Sequence, residues 1–308
     1  MAYKVSIAQL VSFCLLALVL SRSRAQDARS GTPPSLAVAK SFESAALGKS
    51  VPFHLYLPAA YGENSEQRFP VVYWLHGSNG NSRVASMIVS RMYDRLIAGG
   101  KLPPTIVVFP DGMKDSMWVD SESGDVKMET FLVEELVPYM DAQFRTMAAP
   151  SGRLLEGGSM GGYGAARLGF KYPELFGAIS MLSAGPLQHD LDPEEAPIVG
   201  RAHAAKVLQK TYGGDRSIFS QQSPWQLATE LPDTVRNDIQ LRMIVGATDP
   251  VLVYNEDFSA HLDQLDISHE CDVLAGVDHS PRALFQALAR HENYWRFNAD
   301  FLVASGVK

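Results

Sequence analysis

Short apolar runs alternate with stretches of helical periodicity along most of the chain. The first two predicted strands, Val38–Ser44 and Val51–Leu57, are interpreted as an antiparallel lead-in. Six further strands are predicted at Val71–Leu75, Thr105–Phe109, Arg153–Glu156, Ala178–Leu182, Leu241–Val245 and Cys271–Ala275. Several of these runs are almost entirely apolar, as is typical of central parallel strands covered on both faces. The pattern predicts an α/β fold with a mostly parallel, eight-stranded sheet flanked by helices.

Helical periodicity is clearest between these strands, at Ser82–Ala98, Glu129–Phe144 and Asn255–Leu265. The connection between the sixth and seventh strands, residues 184–240, is unusually long and includes a helical stretch at Arg201–Lys210. Connections of this length usually have a function or carry structure of their own. Two interpretations stay open for this insertion, a lid over the functional site and a solvated surface excursion.

The N-terminus has a different pattern from the rest of the chain. Lys4 is followed by a largely apolar run from Val5 to Leu20, and Ser23 and Ala25 are small residues at the −3 and −1 positions of a cleavage site. The run falls short of the roughly 20 residues that a membrane-spanning helix needs. We therefore predict a signal peptide over residues 1–25 and a secreted or periplasmic protein without stable membrane insertion.

Composition and charge narrow the function classes. A polar, Pro- and Gly-containing linker is predicted at residues 26–36, followed by one domain at 37–308. The net charge of −7 argues against a nucleic-acid partner.

Cys14 lies in the predicted signal peptide, which leaves Cys271 as the single cysteine of the mature chain. This count excludes an intramolecular disulfide and a cysteine metal site, and the apolar setting of Cys271 predicts a buried thiol.

Gly157-Gly158-Ser159-Met160-Gly161 follows a predicted strand and precedes a helix of small residues. The pattern G-x-S-x-G in this context places the serine on a tight strand-to-helix turn that exposes its hydroxyl. Flanking glycines allow the strained turn and a close approach of helix and strand. We predict Ser159 as a nucleophile. The alternative is a Gly-rich turn in which Ser159 only caps the helix.

A serine nucleophile needs a histidine base and a carboxylate that orients the histidine. Asp249 follows the predicted strand Leu241–Val245, and His279 follows the last predicted strand just before a helix that begins near Ser280 and Pro281. Both positions lie at the carboxyl ends of late strands, where such groups are expected. Asp249 is favoured over three competing carboxylates, those of Asp257, Asp272 and Asp278.

Two backbone N–H groups are needed to stabilise an oxyanion. The N–H of Met160, directly after the nucleophile, is predicted as the first donor. The second should come from the loop after the strand Val71–Leu75, and it is assigned to Ser78, with Gly77 as the alternative. His76 in the same loop is interpreted as a turn residue with a local hydrogen bond.

Four segments make the chain similar to the esterase D / feruloyl esterase-like branch of the α/β hydrolases: Tyr73–Gly77, Pro110–Gly112, Gly157–Ala165 and Gly246–Asp249. The similarity extends from about residue 40 to the C-terminus. It implies an α/β-hydrolase fold, a catalytic triad of Ser159, Asp249 and His279, and the oxyanion donors Met160 and Ser78.

The resemblance also suggests that Trp118 lines the substrate pocket, with a core tryptophan as the alternative. One departure concerns the base, because relatives commonly have Gly-Gly-His before an aromatic residue and this chain has Val277-Asp278-His279-Ser280-Pro281. No sequence motif for a metal or a cofactor is found, so none is expected.

The sequence therefore predicts a serine carboxylic-ester hydrolase that forms an acyl-enzyme on short-chain acyl or carbohydrate-linked (acetyl, feruloyl) esters. The first alternative is an acyltransferase of the mycolyltransferase type, which would use the same triad. The second is a non-catalytic binding protein on the same scaffold. The expected partner is a small-molecule or carbohydrate ester.

Overall fold

The computed structural model describes residues 36–196 and 200–304. The predicted signal peptide with Cys14, and the predicted linker up to residue 35, lie outside the described residues. Within the described ranges, none of the helices combines the length and the apolar character that a bilayer crossing requires.

Eight strands form one sheet in the order β1-β2-β4-β3-β5-β6-β7-β8. Their bounds are β1 Val38–Ser44, β2 Lys49–Tyr56, β3 Val71–Leu75, β4 Ile106–Pro110, β5 Arg153–Gly158, β6 Ala178–Leu182, β7 Gln240–Gly246 and β8 Glu270–Leu274. β1 pairs antiparallel with β2, and β2 pairs antiparallel with β4. All other neighbours are parallel. The predicted antiparallel lead-in and mostly parallel eight-stranded sheet are confirmed.

Apart from three short 3-10 helices, ten helical segments flank the sheet or form the insertion within the described residues. They are α1 Ser82–Ala98, α2 128–143, α3 Met160–Lys171, α4 Arg201–Tyr212, α5 Arg216–Gln222, α6 Pro224–Glu230, α7 Asp233–Arg236, α8 Leu252–Gln264, α9 Pro281–Leu288 and α10 Glu292–Ala304. The middle of α2, Phe131–Leu136, is π-helical. The insertion after β6 carries α4 to α7, so it has helical structure of its own.

The central strands explain where the core lies. Every residue of β3, β4 and β6 is buried, because helices cover both faces of the sheet. Val72 and Tyr73 are adjacent on β3 but belong to different apolar clusters, one on each face. Side chains of a strand alternate between the faces, so only the strand ends can present residues to solvent. The carboxyl ends of β3, β5, β7 and β8 therefore position the site described below.

The prediction of a buried thiol at Cys271 is wrong. Its strand, β8, is the last in the sheet order, and Leu274 is the only one of its five residues that is buried. The Cys271 side chain is consequently exposed rather than buried. A strand at the edge of a sheet has a neighbour on one side only, so a run of apolar residues there need not be covered.

A buried charge, the Glu156 carboxylate, lies in the middle of β5. Its exposed fraction is 0%. Five side chains donate hydrogen bonds to it: Tyr294 at 2.8 Å, Arg242 at 3.0 Å, Ser180 at 3.0 Å, Tyr93 at 3.2 Å and Asn298 at 3.4 Å. These six residues are called the Glu156 network. The network joins β5, β6 and β7 to α1 and α10, with the buried Arg242 guanidinium as counter-ion.

Candidate active site

The turn after β5 holds Ser159 in a strained backbone conformation. Its φ is 55° and its ψ is −121°, a region that residues with a side chain rarely adopt. The Ser159 N–H donates to Leu182 O on β6 at 2.9 Å. A Cβ atom on Gly161 would lie only 1.9 Å from Leu75 O, so helix α3 can pass the end of β3 only with glycine there. The predicted strand–serine–helix turn is present in the structure.

His279 lies between Ser159 and Asp249. Its Nε2 is 3.0 Å from Ser159 Oγ. Its Nδ1 is 3.0 Å from Asp249 Oδ1 and 2.9 Å from Oδ2. A carboxylate only accepts hydrogen bonds, so the Nδ1–H donates to Asp249 and leaves Nε2 as the acceptor for the serine hydroxyl. The structure therefore brings the three predicted residues together in one hydrogen-bonded chain.

The Asp249 side chain is fully buried, whereas that of His279 is 19% exposed. Besides the histidine, Asp249 Oδ1 accepts the Val251 N–H at 3.0 Å. Ser280 caps α9 by accepting the Ala283 N–H. This cap sets the start of the helix directly after His279. The histidine is thus held by a short segment between β8 and a capped helix.

The competing carboxylates bind elsewhere. Asp272 Oδ2 is 3.0 Å from His291 Nε2. Asp278 Oδ1 accepts the N–H of Ser280 in a local turn. Asp257 lies within α8. Of the carboxylates considered from the sequence, Asp249 is the one that contacts His279.

The two predicted oxyanion donors lie beside Ser159. Met160 is the first residue of α3, and the first N–H groups of a helix have no partner within the helix. The turn 77–80 passes close to the nucleophile, because a Cβ on Gly77 would be 3.3 Å from Ser159 Cβ. Ser78 and Ser159 line the same cavity. Met160 and the turn that carries Ser78 therefore lie near the nucleophile, and the oxyanion role of their N–H groups stays a prediction.

His76 has a positioning role that its sequence context did not reveal. Its Nδ1–H donates to Gly77 O at 2.8 Å, and its Nε2 accepts the Gly112 N–H at 2.9 Å. The ring thus ties the turn after β3 to the loop after β4, while His76 O accepts the Trp118 indole N–H at 3.2 Å. Burial lowers the pKa of His76, opposed by the bond to Gly77 O, and both ring nitrogens are used as in the neutral form. The local hydrogen bond was expected; the link to Gly112 was not, since it joins segments distant in sequence.

The prediction that Trp118 lines the substrate pocket is wrong. Trp118 is a core residue and does not form part of the cavity wall. Its exposed fraction is 0%. A Cβ on Gly112 would lie 2.3 Å from the indole, and one on Gly164 2.6 Å from it, so two glycines make room for the ring. The neighbouring Met117 lines the cavity instead. Met117 and Trp118 both have positive φ.

A cavity of about 440 Å³ opens beside Ser159 and His279, and we call it the apolar cavity. One wall comes from β3, α1 and α9, with Trp74, Val84, Ile88, Leu284 and Phe285. Another part of the wall comes from the insertion and includes Leu191, Ala204 and Val207. The insertion therefore encloses the site on one side. Whether it moves as a lid stays a prediction.

A second cavity of about 560 Å³, the polar cleft, lies against the insertion and α8. Its lining includes Asp190, Asp192, Glu195, Trp225, Tyr254, Asp257 and His261. Arg216 forms ion pairs with Asp190 and Asp192. In the described part of the chain, no group of three or more His, Cys, Asp or Glu side chains is arranged to hold a metal ion.

The family model described as "Putative esterase" matches residues 44–250, about two thirds of the chain. The chain belongs to this esterase family. The family membership confirms the resemblance that the four sequence segments indicated.

Among curated relatives, an endo-1,4-beta-xylanase/feruloyl esterase of Xylanibacter ruminicola is 34% identical over 47% of this chain and 21% of its own length. Esterase Rv1288 of Mycobacterium tuberculosis is 28% identical over 76% of this chain and 54% of its own length. The aligned part of this esterase chain thus spans about a fifth of the Xylanibacter ruminicola relative and about half of the Mycobacterium tuberculosis relative.

Solved structures share the esterase chain's fold. A ferulic acid esterase superposes with a TM-score of 0.71 at 22% identity, covering 87% of this chain and 100% of the other. An S-formylglutathione hydrolase from Agrobacterium tumefaciens superposes with a TM-score of 0.68 at 20% identity, covering 86% and 94%. These likenesses confirm the predicted α/β-hydrolase fold.

Proposed function

We propose that this member of the esterase family is a serine carboxylic-ester hydrolase. Ser159 is the nucleophile, His279 the general base and acid, and Asp249 the group that orients the histidine. The observation that supports this most directly is the continuous hydrogen-bonded chain from Ser159 Oγ through both ring nitrogens of His279 to Asp249. The family membership supports the same reaction class.

In the proposed acylation step, Ser159 Oγ attacks the ester carbonyl carbon while its proton passes to His279 Nε2. The carbonyl oxygen becomes an oxyanion and accepts hydrogen bonds from the N–H groups of Met160 and Ser78. When the intermediate collapses, the bond to the alcohol oxygen breaks and His279 returns the proton to that oxygen. The alcohol leaves, and the acyl group stays on Ser159.

In deacylation, a water molecule takes the place of Ser159 as the nucleophile. The water molecule gives its proton to His279 Nε2 and attacks the acyl carbon, and the second oxyanion uses the same two N–H groups. Collapse breaks the bond to Ser159 Oγ, which takes the proton back from His279. The products are the carboxylic acid and free enzyme.

The substrate proposal follows from the walls of the apolar cavity. Its aliphatic and aromatic side chains suit a short or aromatic acyl group, and the carbohydrate-linked acetyl and feruloyl esters predicted from the sequence fit this description. The name of the Xylanibacter ruminicola relative, a feruloyl esterase, supports the proposal. Hydrolysis of acetyl, butyryl and feruloyl esters by the purified protein tests it, and added alcohol acceptors reveal any acyl transfer.

We further propose that the enzyme is exported, on the strength of the apolar run at residues 5–20 and the cleavage site at Ala25. N-terminal sequencing of the protein recovered from the producing cells tests this. A mature start at Gln26 supports export, and an intact N-terminus on protein inside the cell contradicts it.

The variant Ser159→Ala tests the proposed mechanism, because it removes the attacking oxygen and leaves the cavity intact. We expect kcat for p-nitrophenyl acetate to fall by about 10⁴-fold or more, and a fluorophosphonate probe to label only the wild type. Ser123→Ala, on an exposed turn, is the matched control and should keep wild-type activity. Near-normal turnover by Ser159→Ala would show that another group performs the attack.

A further inference from the structure

Gln188 lies where the apolar cavity and the polar cleft meet. It is a lining residue of both. It follows Gly185, whose N–H donates to Ser159 O at 3.2 Å, by three residues. Gln188 therefore borders the cavity of the nucleophile and the polar cleft at the same time.

The Gln188 side chain is buried, with 6% exposure. Its amide Nε2 donates to Glu195 O at 3.5 Å, which orients the amide group. Its Oε1 accepts no hydrogen bond from any residue that the structure describes. An amide oxygen is only an acceptor, so its complement must be a donor such as a hydroxyl.

An unpaired buried acceptor is costly, by about 1–3 kcal/mol, and such groups in a folded protein call for an explanation. Here the explanation can be a ligand, since the oxygen lies on the wall of the cavity that holds the nucleophile. Three further buried polar atoms of this wall also lack a hydrogen bond within the described chain, Trp74 Nε1, Ser183 Oγ and His203 Nε2. The Trp74 indole N–H is only a donor, so it cannot accept from a substrate hydroxyl. His203 Nε2 is, however, 3.2 Å from Asp115 Oδ1, so Gln188 and Ser183 are the better placed for a substrate.

The charge of the polar cleft indicates the kind of group that it accepts. The positive charge of Arg216 partly neutralises the two negative charges of Asp190 and Asp192. Glu195 and Asp257 line the same cleft and form no ion pair within the described residues, so the cleft is rich in acceptors and negative overall. A carboxylate or phosphate would be repelled there. A neutral group with several hydroxyls would find acceptors for its O–H donors.

We propose that Gln188 is a specificity-determining residue that accepts a hydrogen bond from a hydroxyl of the ester substrate. The apolar half of the ester occupies the apolar cavity, and a neutral, hydroxyl-rich half extends past Gln188 into the polar cleft. This inference rests on the proposed ester hydrolysis at Ser159 and goes beyond it by naming the residue that selects the alcohol.

The test compares two butyryl esters, one of methyl glucoside at the 6-hydroxyl and one of cyclohexanol, in wild type, Gln188→Met and Gln188→Glu. Methionine keeps the length of the side chain and removes the acceptor, whereas glutamate keeps an acceptor oxygen. For Gln188→Met we expect kcat/KM on the glucoside ester to fall by about 10- to 100-fold, because a site built for a hydroxyl is sensitive to the loss of its partner. The cyclohexyl ester should change by less than about twofold, and Gln188→Glu should retain part of the preference.

Gln221→Met, on an exposed glutamine of α5, is the matched control and should leave both esters unchanged. An equal fall on both esters in Gln188→Met would assign Gln188 a purely structural role, and an unchanged ratio would also overturn the inference. Wild type that hydrolyses neither ester contradicts the proposed function itself.

A measurement on wild type alone keeps the inference testable if Gln188→Met does not fold. Methyl glucoside should inhibit hydrolysis of p-nitrophenyl butyrate at lower concentration than cyclohexanol does. Equal or weaker inhibition by methyl glucoside overturns the proposal.

Discussion

Two carboxylates have completely buried side chains, Glu156 within the sheet and Asp249 in the loop after β7, and their surroundings differ. Glu156 accepts hydrogen bonds from five side chains, one of them the buried guanidinium of Arg242. Asp249 contacts the His279 ring and one backbone N–H. Among the described residues, no lysine or arginine lies within ion-pair distance of Asp249.

The difference lies in when each charge is balanced. The Glu156 charge is neutralised permanently, and its network joins strands and helices. The Asp249 charge is neutralised only when His279 takes up a proton, which in the proposed mechanism occurs as Ser159 attacks. A buried carboxylate that waits for its counter-charge stabilises the transition state more than the ground state, which is what accelerates a reaction. A buried carboxylate with its full set of partners contributes to folding instead.

The sharpest test of this comparison is Asp249→Asn, which keeps the shape of the side chain and removes its charge. We expect kcat to fall by about 10⁴-fold, since the amide no longer stabilises the imidazolium or holds the required tautomer. The free energy of unfolding should change little, because no buried cation loses its partner. Ester hydrolysis and chemical denaturation measure the two effects. A large loss of stability with retained kcat would reverse the roles given to the two carboxylates.

Glu156→Gln should give the opposite result. The Arg242 guanidinium would remain buried without its counter-ion, and we expect a loss of about 3–5 kcal/mol in the free energy of unfolding. The kcat of the folded fraction should stay within about threefold of wild type, because Glu156 contacts no member of the triad. Adding Arg242→Met to this variant should recover part of the stability, since the uncompensated charge is removed. Urea denaturation and kinetics measure both effects, and a selective loss of kcat would place Glu156 in the catalytic machinery.

The smallest expected effect is a change in how stability depends on pH, and it concerns His76, which links the loops near Ser78. Burial lowers the pKa of His76 in the folded protein. At a pH below the ordinary pKa of about 6.5, the unfolded chain therefore binds a proton at His76 more readily than the folded protein does. Its contribution to stability is therefore present above that pH and is lost as the pH falls, by at most about 1.4 kcal/mol per pH unit. Thermal unfolding from about pH 7.5 to about pH 5.5 should show a steeper loss for wild type than for His76→Gln. Parallel pH profiles would contradict this.

Much of the fold and of the site could be predicted because the signals are local. Helix α1 and three strands have the predicted bounds, and the other strands deviate by at most two residues at either end, since apolar periodicity follows directly from strand and helix geometry. Ser159, Asp249 and His279 were predicted from their places at strand ends, and the structure brings them within hydrogen-bond distance.

The remainder depended on contacts between distant segments. Trp118 turned inward because Gly112 and Gly164 leave room for its ring, and Met117 took the place on the cavity wall. Cys271 is exposed because β8 has no outer neighbour.

The order of elements, the nucleophile turn and the candidate triad residues were determined by the sequence itself, because each element and each candidate residue is identified from its neighbours along the chain. Which carboxylate is neutralised by a cation, which polar atom stays unpaired, and which side chains face the cavity were decided only by the tertiary structure. Hydrogen bonding and burial depend on the distances between residues such as Glu156 and Arg242, and folding alone brings them together.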